Sequence, residues 1–159
     1  VPSGIMDQVA SLACRADHAL LLDARSLAIE HVPLAVGRAG FAILVVDTRT
    51  PRALADGAFA QRRDACEQVA VALGVAALRD VTLARLEGAR TLLGEVAFRR
   101  ARHVVGENAR VRAAVDYLRS GQIERLGPLM SASHVATSVS RHPQSGENPR
   151  RLRRAWPKC

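Results

Sequence analysis

The sequence predicts an α/β chain of the α+β type, with helices outnumbering strands. Two short apolar runs, HALLLD at 18–23 and FAILVVD at 41–47, are bounded by polar or glycine-rich residues and read as strands. From Ala58 onward the apolar residues recur every three or four positions, which is the helical period. Gly74 and Gly121 fall where two of those helices should stop. The chain has 159 residues, 48% of them apolar and only 3% aromatic, so any core must rest on Leu, Val, Ala and Ile.

The first element is a short apolar helix starting near Gly4, with Ile5, Val9, Leu12 and Ala13 as its apolar set. Asp7 projects from its first turn, where the helix dipole favours a carboxylate, and a glycine at position 4 lets a ligand approach the backbone closely. His18–Asp23 then reads as a strand and Val32–Val36 as a weaker one. Gly37 to Gly40 punctuates the chain before the continuously apolar 41–47, which suits a strand buried on both faces. Thr48–Pro51 is a turn. The helix from Ala58 carries Phe59, Cys66, Val69, Ala70 and Leu73 on one face, with Gly74 as its C-cap. Leu78-Arg79-Asp80 is a turn leading into a helix at about Thr82–Ala89. The longest helix covers about Glu95–Ser120, with Phe98, Ala101, Val105, Asn108, Val111, Val115 and Leu118 on its apolar stripe. Asn108 interrupts that stripe, so a hydrogen bond to a neighbouring loop is expected of it. Gly121 ends this helix, and another begins over Ile123–His134.

The net charge of +8 is unevenly placed. Residues 141–159 hold Arg141, Arg150, Arg151, Arg153, Arg154 and Lys158 against Glu147 alone, leaving only +3 for the first 140 residues. A basic terminal run of this kind, rich in Pro and Arg, reads as a disordered tail and implies no specific nucleic acid. Arg99, Arg100, Arg102 and His103 resemble a basic patch when taken alone, but read better as a solvated face with salt links between helices. No run approaches the ~20 apolar residues of a membrane span, so no membrane partner is expected. Cys14, Cys66 and Cys159 form no CxxC pair, which supports neither zinc nor a disulfide framework and fits a cytoplasmic setting.

The stretch SGIMDQ at 3–8, followed by HALLLD-x-RSL, resembles galactokinase, of the GHMP family of small-molecule kinases. RALADGAFAQRRDACE, LGVAALRDV, FRRARHVVGENARV and LGPLMSASH continue the resemblance in the same order, so that it covers about residues 2–134. The domains it implies are the end of a GHMP-kinase N-terminal domain at 1–37 and the helical start of a two-layer C-terminal domain at 38–134. Residues 135–159 form a basic tail unlike the family, of the kind a frameshift in GC-rich coding sequence would produce. The family's sugar motif PGRVNLIGEHTDY, its phosphate loop PxGxGLSSSA and its MTGGGFGG loop do not occur in these 159 residues. The chain is therefore expected to match the middle third of such an enzyme, with exposed apolar edges, and to be inactive alone.

The resemblance implies ATP-dependent phosphorylation of galactose at its 1-hydroxyl, with galactose and ATP as partners and Mg2+ as cofactor. Asp7 matches the family's catalytic aspartate and would take the hydroxyl proton. Gly4 and Asp7 would lie against the sugar. Phe59 matches a position where many galactokinases carry tyrosine near the sugar, and a phenyl ring can shape that pocket without donating a hydrogen bond. Two other readings compete. One is a galactose-responsive regulatory protein on a galactokinase scaffold. The other is a basic nucleic-acid-binding module working through the Arg-rich tail.

Overall fold

A computed structural model describes the backbone of residues 5–47 and 58–141 and the side chains of 5–47 and 60–137. The elements run α1 (Met6–Ala13), β1 (His18–Leu22), β2 (Ile29–Pro33), α2 (Ala58–Ala72), α3 (Leu83–Gly88), α4 (Glu95–Arg119) and α5 (Leu126–Arg141). Single 3-10 turns occupy Leu78–Asp80, Arg90–Leu92 and Ile123–Arg125. The described residues fall into two compact units, one within Val1–Ala60 and Val111–Gly127, the other within Gln61–Arg110 and Pro128–Cys159.

In the first unit β1 and β2 form an antiparallel hairpin, with His18 opposite Pro33 and Leu22 opposite Ile29. Its loop is fixed locally. The Asp23 Oδ1 accepts the backbone N–H of Arg25 at 2.8 Å and of Ser26 at 3.3 Å. Leu27 takes a left-handed φ of 59°, and its N–H donates to the Asp23 carbonyl at 2.8 Å. The second strand thus sits earlier than the expected 32–36. β1 starts at His18, so its partner must end at Pro33, a residue with no N–H to place in a ladder. Leu34 makes one further bond, to the Asp17 carbonyl at 2.7 Å, and the pairing stops. Val32 is the single fully buried residue of the hairpin, at 1% exposure. Arg119 of α4 reaches Glu30 of β2 at 2.6 Å, which holds the Arg119 guanidinium above its ordinary range.

The expected buried strand at 41–47 is a correction. These residues carry no strand pairing, and Leu44 and Val45 are about as exposed as a side chain can be, Val45 at 86%. An apolar run sets a preference for burial, but a strand exists only where a neighbour completes its ladder, and no described segment does so. The turn at 48–51 lies outside the described residues.

The second unit has the larger core. Val69 and Ala70 of α2, Leu78, Val81, Leu86 of α3, and Phe98, Ala101 and Val105 of α4 form one cluster. Leu86 is completely buried, worth about 1.5–3 kcal/mol relative to an exposed leucine. Three helix ends are specified by sequence. At Gly74 the φ is +65°, with Val75 N–H donating to the Ala70 carbonyl and Gly74 N–H to the Val71 carbonyl. Those paired bonds close the end of α2, and the same pattern in the first unit at Gly121 closes α4, through Gln122 to Tyr117 and Gly121 to Leu118. Thr82 caps α3, its hydroxyl accepting the Arg85 N–H at 3.3 Å.

The basic face on α4 is tied down by salt links. Arg99 meets Glu95 at 2.9 Å, Arg102 meets Glu87 at 2.7 Å, and Arg100 donates to the Gln61 carbonyl at 3.0 Å. The last helix differs from the sequence expectation. It extends to Arg141, so residues 135–141, expected to begin a disordered tail, are helical. The stretch VATSVSR holds no glycine or proline, and a helix already nucleated continues through it because each added residue then costs little. Residues 142–159 lie outside the described residues.

Candidate active site

Asp7 sits in the first turn of α1, an eight-residue helix. The Asp7 side chain is exposed, and among the described residues its carboxylate takes no hydrogen bond or ion pair. Its own carbonyl accepts the Ser11 hydroxyl at 2.8 Å, one turn on. The helix has no side-chain bond at its N-cap, Ile5, and buries none of its residues. Of its apolar set, Ile5 and Leu12 are exposed, Leu12 at 89%, while Val9 and Ala13 are half-buried. At the far end His31 Nε2 faces the Ala13 carbonyl at 2.6 Å, which ties the end of α1 to β2. Asp7 is therefore carried on a helix that buries no residue fully and is tied to β2 at its far end.

Of the other site residues expected from sequence, Gly4 lies outside the described residues. The backbone of Phe59 is in the first turn of α2, and its side chain is not described. Asp7 is thus the one expected site residue whose side chain is described. A shallow depression of 440 Å3 is lined by Asp64, Glu67, Gln68, Val71 and Ala72. All five lie on α2, so the depression is one helix surface without convergent groups, and it does not include Asp7. No set of three or more His, Cys, Asp or Glu side chains among the described residues is placed to hold a metal ion.

Sequence reasoning missed the main polar cluster of the second unit. It pointed to Asn108, but Asn108 is half-buried and makes no side-chain hydrogen bond among the described residues. The hub is its neighbour Glu107. Glu107 Oε1 accepts from Arg110, with the Nε contact at 2.9 Å, and Glu107 Oε2 accepts the Ser133 hydroxyl of α5 at 2.9 Å. His103 Nδ1 lies 3.8 Å from Glu107 Oε1. Burial pushes this carboxyl up, but the bonds from Arg110 and Ser133 and the Arg110 and His103 charges more than offset it. Glu107 is held below the ordinary carboxylate range. The spacing of His103, Glu107 and Arg110 on one helix face was readable; the reach to Ser133 was not.

No family model matches the chain. Individual proteins do. Over 137 residues, 85% of this chain, it is 43% identical to the galactokinase of Streptomyces coelicolor. Over 134 residues it is 46% identical to human galactokinase. The chain is a homologue of the galactokinases. The solved structure of Lactococcus lactis galactokinase complexed with galactose superposes on 87% of this galactokinase homologue at a TM-score of 0.69 and 29% identity. Helices with a small antiparallel sheet thus match the galactokinase, or GHMP-kinase, fold. The chain spans about a third of the length of the curated galactokinases it matches, 35% of the Streptomyces protein and 34% of the human one. Among the described residues no helix is long and apolar enough to cross a membrane.

Proposed function

We propose that this chain carries the proton-accepting carboxylate of a galactokinase, which transfers the γ-phosphoryl group of ATP to the 1-hydroxyl of galactose. The observation that carries the reading is Asp7 itself. It is an exposed carboxylate at a helix start, in a chain homologous to galactokinases over 85% of its length. In the step proposed, the oxygen of the sugar hydroxyl bonds to the γ-phosphorus while the bond to the β–γ bridging oxygen breaks. ADP leaves, and the hydroxyl proton passes to Asp7. A carboxylate is a weak base for a sugar hydroxyl in the ground state. It serves because proton transfer comes late in a loose phosphoryl-transfer transition state, so orienting the hydroxyl is a large part of its contribution. Gly4 brings backbone close to the sugar and Phe59 gives the pocket an apolar wall in this reading. Magnesium is implied by the family, but the described residues assemble no ligand set for it, and no step here runs through it.

The test places residues 5–134 in human galactokinase in place of the matching third. The hybrid, supplied with galactose and MgATP, is expected to form galactose 1-phosphate. Asp7→Asn should lower kcat by about 10²–10⁴-fold, the usual contribution of a positioned acid or base. An Asp7→Asn hybrid as fast as its parent would remove Asp7 from the chemistry, and a preference for homoserine or mevalonate would remove galactose as the substrate. Phe59→Tyr should shift galactose affinity by no more than one hydrogen bond, about 0.5–1.5 kcal/mol.

A further inference from the structure

The last carbonyls of a helix have no intrahelical donor. In α1, Ala10 O is served by the Cys14 N–H at 3.2 Å, and Ala13 O faces His31 Nε2 at 2.6 Å. A carbonyl only accepts, so the imidazole hydrogen is on Nε2. His31 is itself well anchored. It sits in the middle of β2 opposite Leu20, and its ring and that of His18 meet in a T-shaped contact, 6.3 Å between centroids and 85° between planes. His18 Nδ1 in turn faces the Ala16 carbonyl at 2.8 Å. The imidazole thus joins a paired strand to a helix that buries no residue.

The lever arm is short and its consequence is large. Asp7 lies six residues from Ala13, about 9 Å along a helix rising 1.5 Å per residue. A tilt of about 6° at the Ala13 end would move Asp7 by about 1 Å, and a displacement of that size can cost about 10²-fold in rate. We propose that His31 is a positioning residue for Asp7, fixing the direction of α1 through its Nε2 hydrogen bond to the Ala13 carbonyl. The proposal rests on the reading of Asp7 as the group that takes the sugar's proton.

Two variants test it in the galactokinase hybrid. His31→Leu removes the donor, whereas His31→Gln keeps an amide N–H at similar reach. His31→Leu should lower kcat for galactose by about 10-fold or more while KM moves much less, and His31→Gln should recover most of the loss. Parent-like kcat in His31→Leu, beside an inactive Asp7→Asn, overturns the positioning role and leaves the reading of Asp7 standing. An active Asp7→Asn sinks both. Equal losses in His31→Leu and His31→Gln also overturn the proposal, because they would trace the effect to ring packing rather than to the hydrogen bond. Should the His31→Leu hybrid fail to fold, amide exchange in the 159-residue chain decides. Exchange at residues 9–14 should speed up by about 10-fold while the β1–β2 ladder stays protected, and unchanged protection in α1 would rule the proposal out.

Discussion

Helix α1 carries the candidate catalytic carboxylate and buries nothing, whereas α4 buries Phe98, Ala101 and Val105 in an eight-residue cluster of the second unit. The first unit's buried side chains are Val32 and, from α4, Val115, and backbone pairing, an Asp23-centred loop and single hydrogen bonds such as His31 to Ala13 add to its order. The second unit is ordered by apolar packing, with its ion pairs at the margin. In the proposed reading, function and stability therefore fall to different residues, as expected where a reactive group must meet a substrate and a core must exclude water.

The largest expected effect that separates the two regions is catalytic. Asp7→Asn should abolish most galactose phosphorylation in the hybrid yet leave stability within about 0.5 kcal/mol, since the side chain is exposed and unpaired among the described residues. A large drop in the unfolding midpoint of that variant would show that α1 is stabilised through Asp7 and erase the contrast. The converse substitution is Leu86→Ala, which should cost about 2–5 kcal/mol in urea unfolding of the 159-residue chain followed by signals of α2 to α4. A cost below about 1 kcal/mol would mean that the cluster repacks and is not the seat of stability.

A smaller effect concerns acid. Glu107 has a folded-state pKa below its unfolded value of about 4.3. Its contribution is therefore complete above the unfolded pKa and is lost as pH falls through the folded one. Lowering pH from neutrality through that window should loosen the contact of α4 with α5, seen as a lower amide protection factor around Ser133, relative to the intrinsic exchange rate at each pH. In Glu107→Gln this pH dependence should flatten. An unaltered acid profile in the variant would transfer the effect to other carboxylates.

The smallest is a difference in thiol reactivity. Cys14 is exposed, in the first unit, while burial pushes the Cys66 thiol up, with the Arg100 charge countering in part. A raised pKa means less thiolate at neutral pH, and thiolate is the reactive form. Cys14 should be alkylated well before Cys66. Equal rates would indicate that α2 opens as readily as the α1 end of the chain.

Local rules were legible in the residues. Alternating and run patterns placed β1, the 3.6-residue period placed α2 to α4, and Gly74 and Gly121 marked helix ends, because caps depend on one residue's permitted φ and on bonds within six positions. The SGIMDQ stretch likewise singled out Asp7 and the galactokinase resemblance. Pairing and burial were settled only in three dimensions. FAILVVD looks like a buried strand because its side chains favour one, yet without a neighbouring strand it has no ladder to join. Asn108 looked buried because it lies on the apolar stripe, while Glu107 became the hub because α5 brings Ser133 to it across 26 positions. His31 shows the same limit. Nothing in IEHVP distinguishes a strand histidine that faces solvent from one that closes the end of a helix eighteen residues earlier, since that depends on where the folded hairpin places its ring.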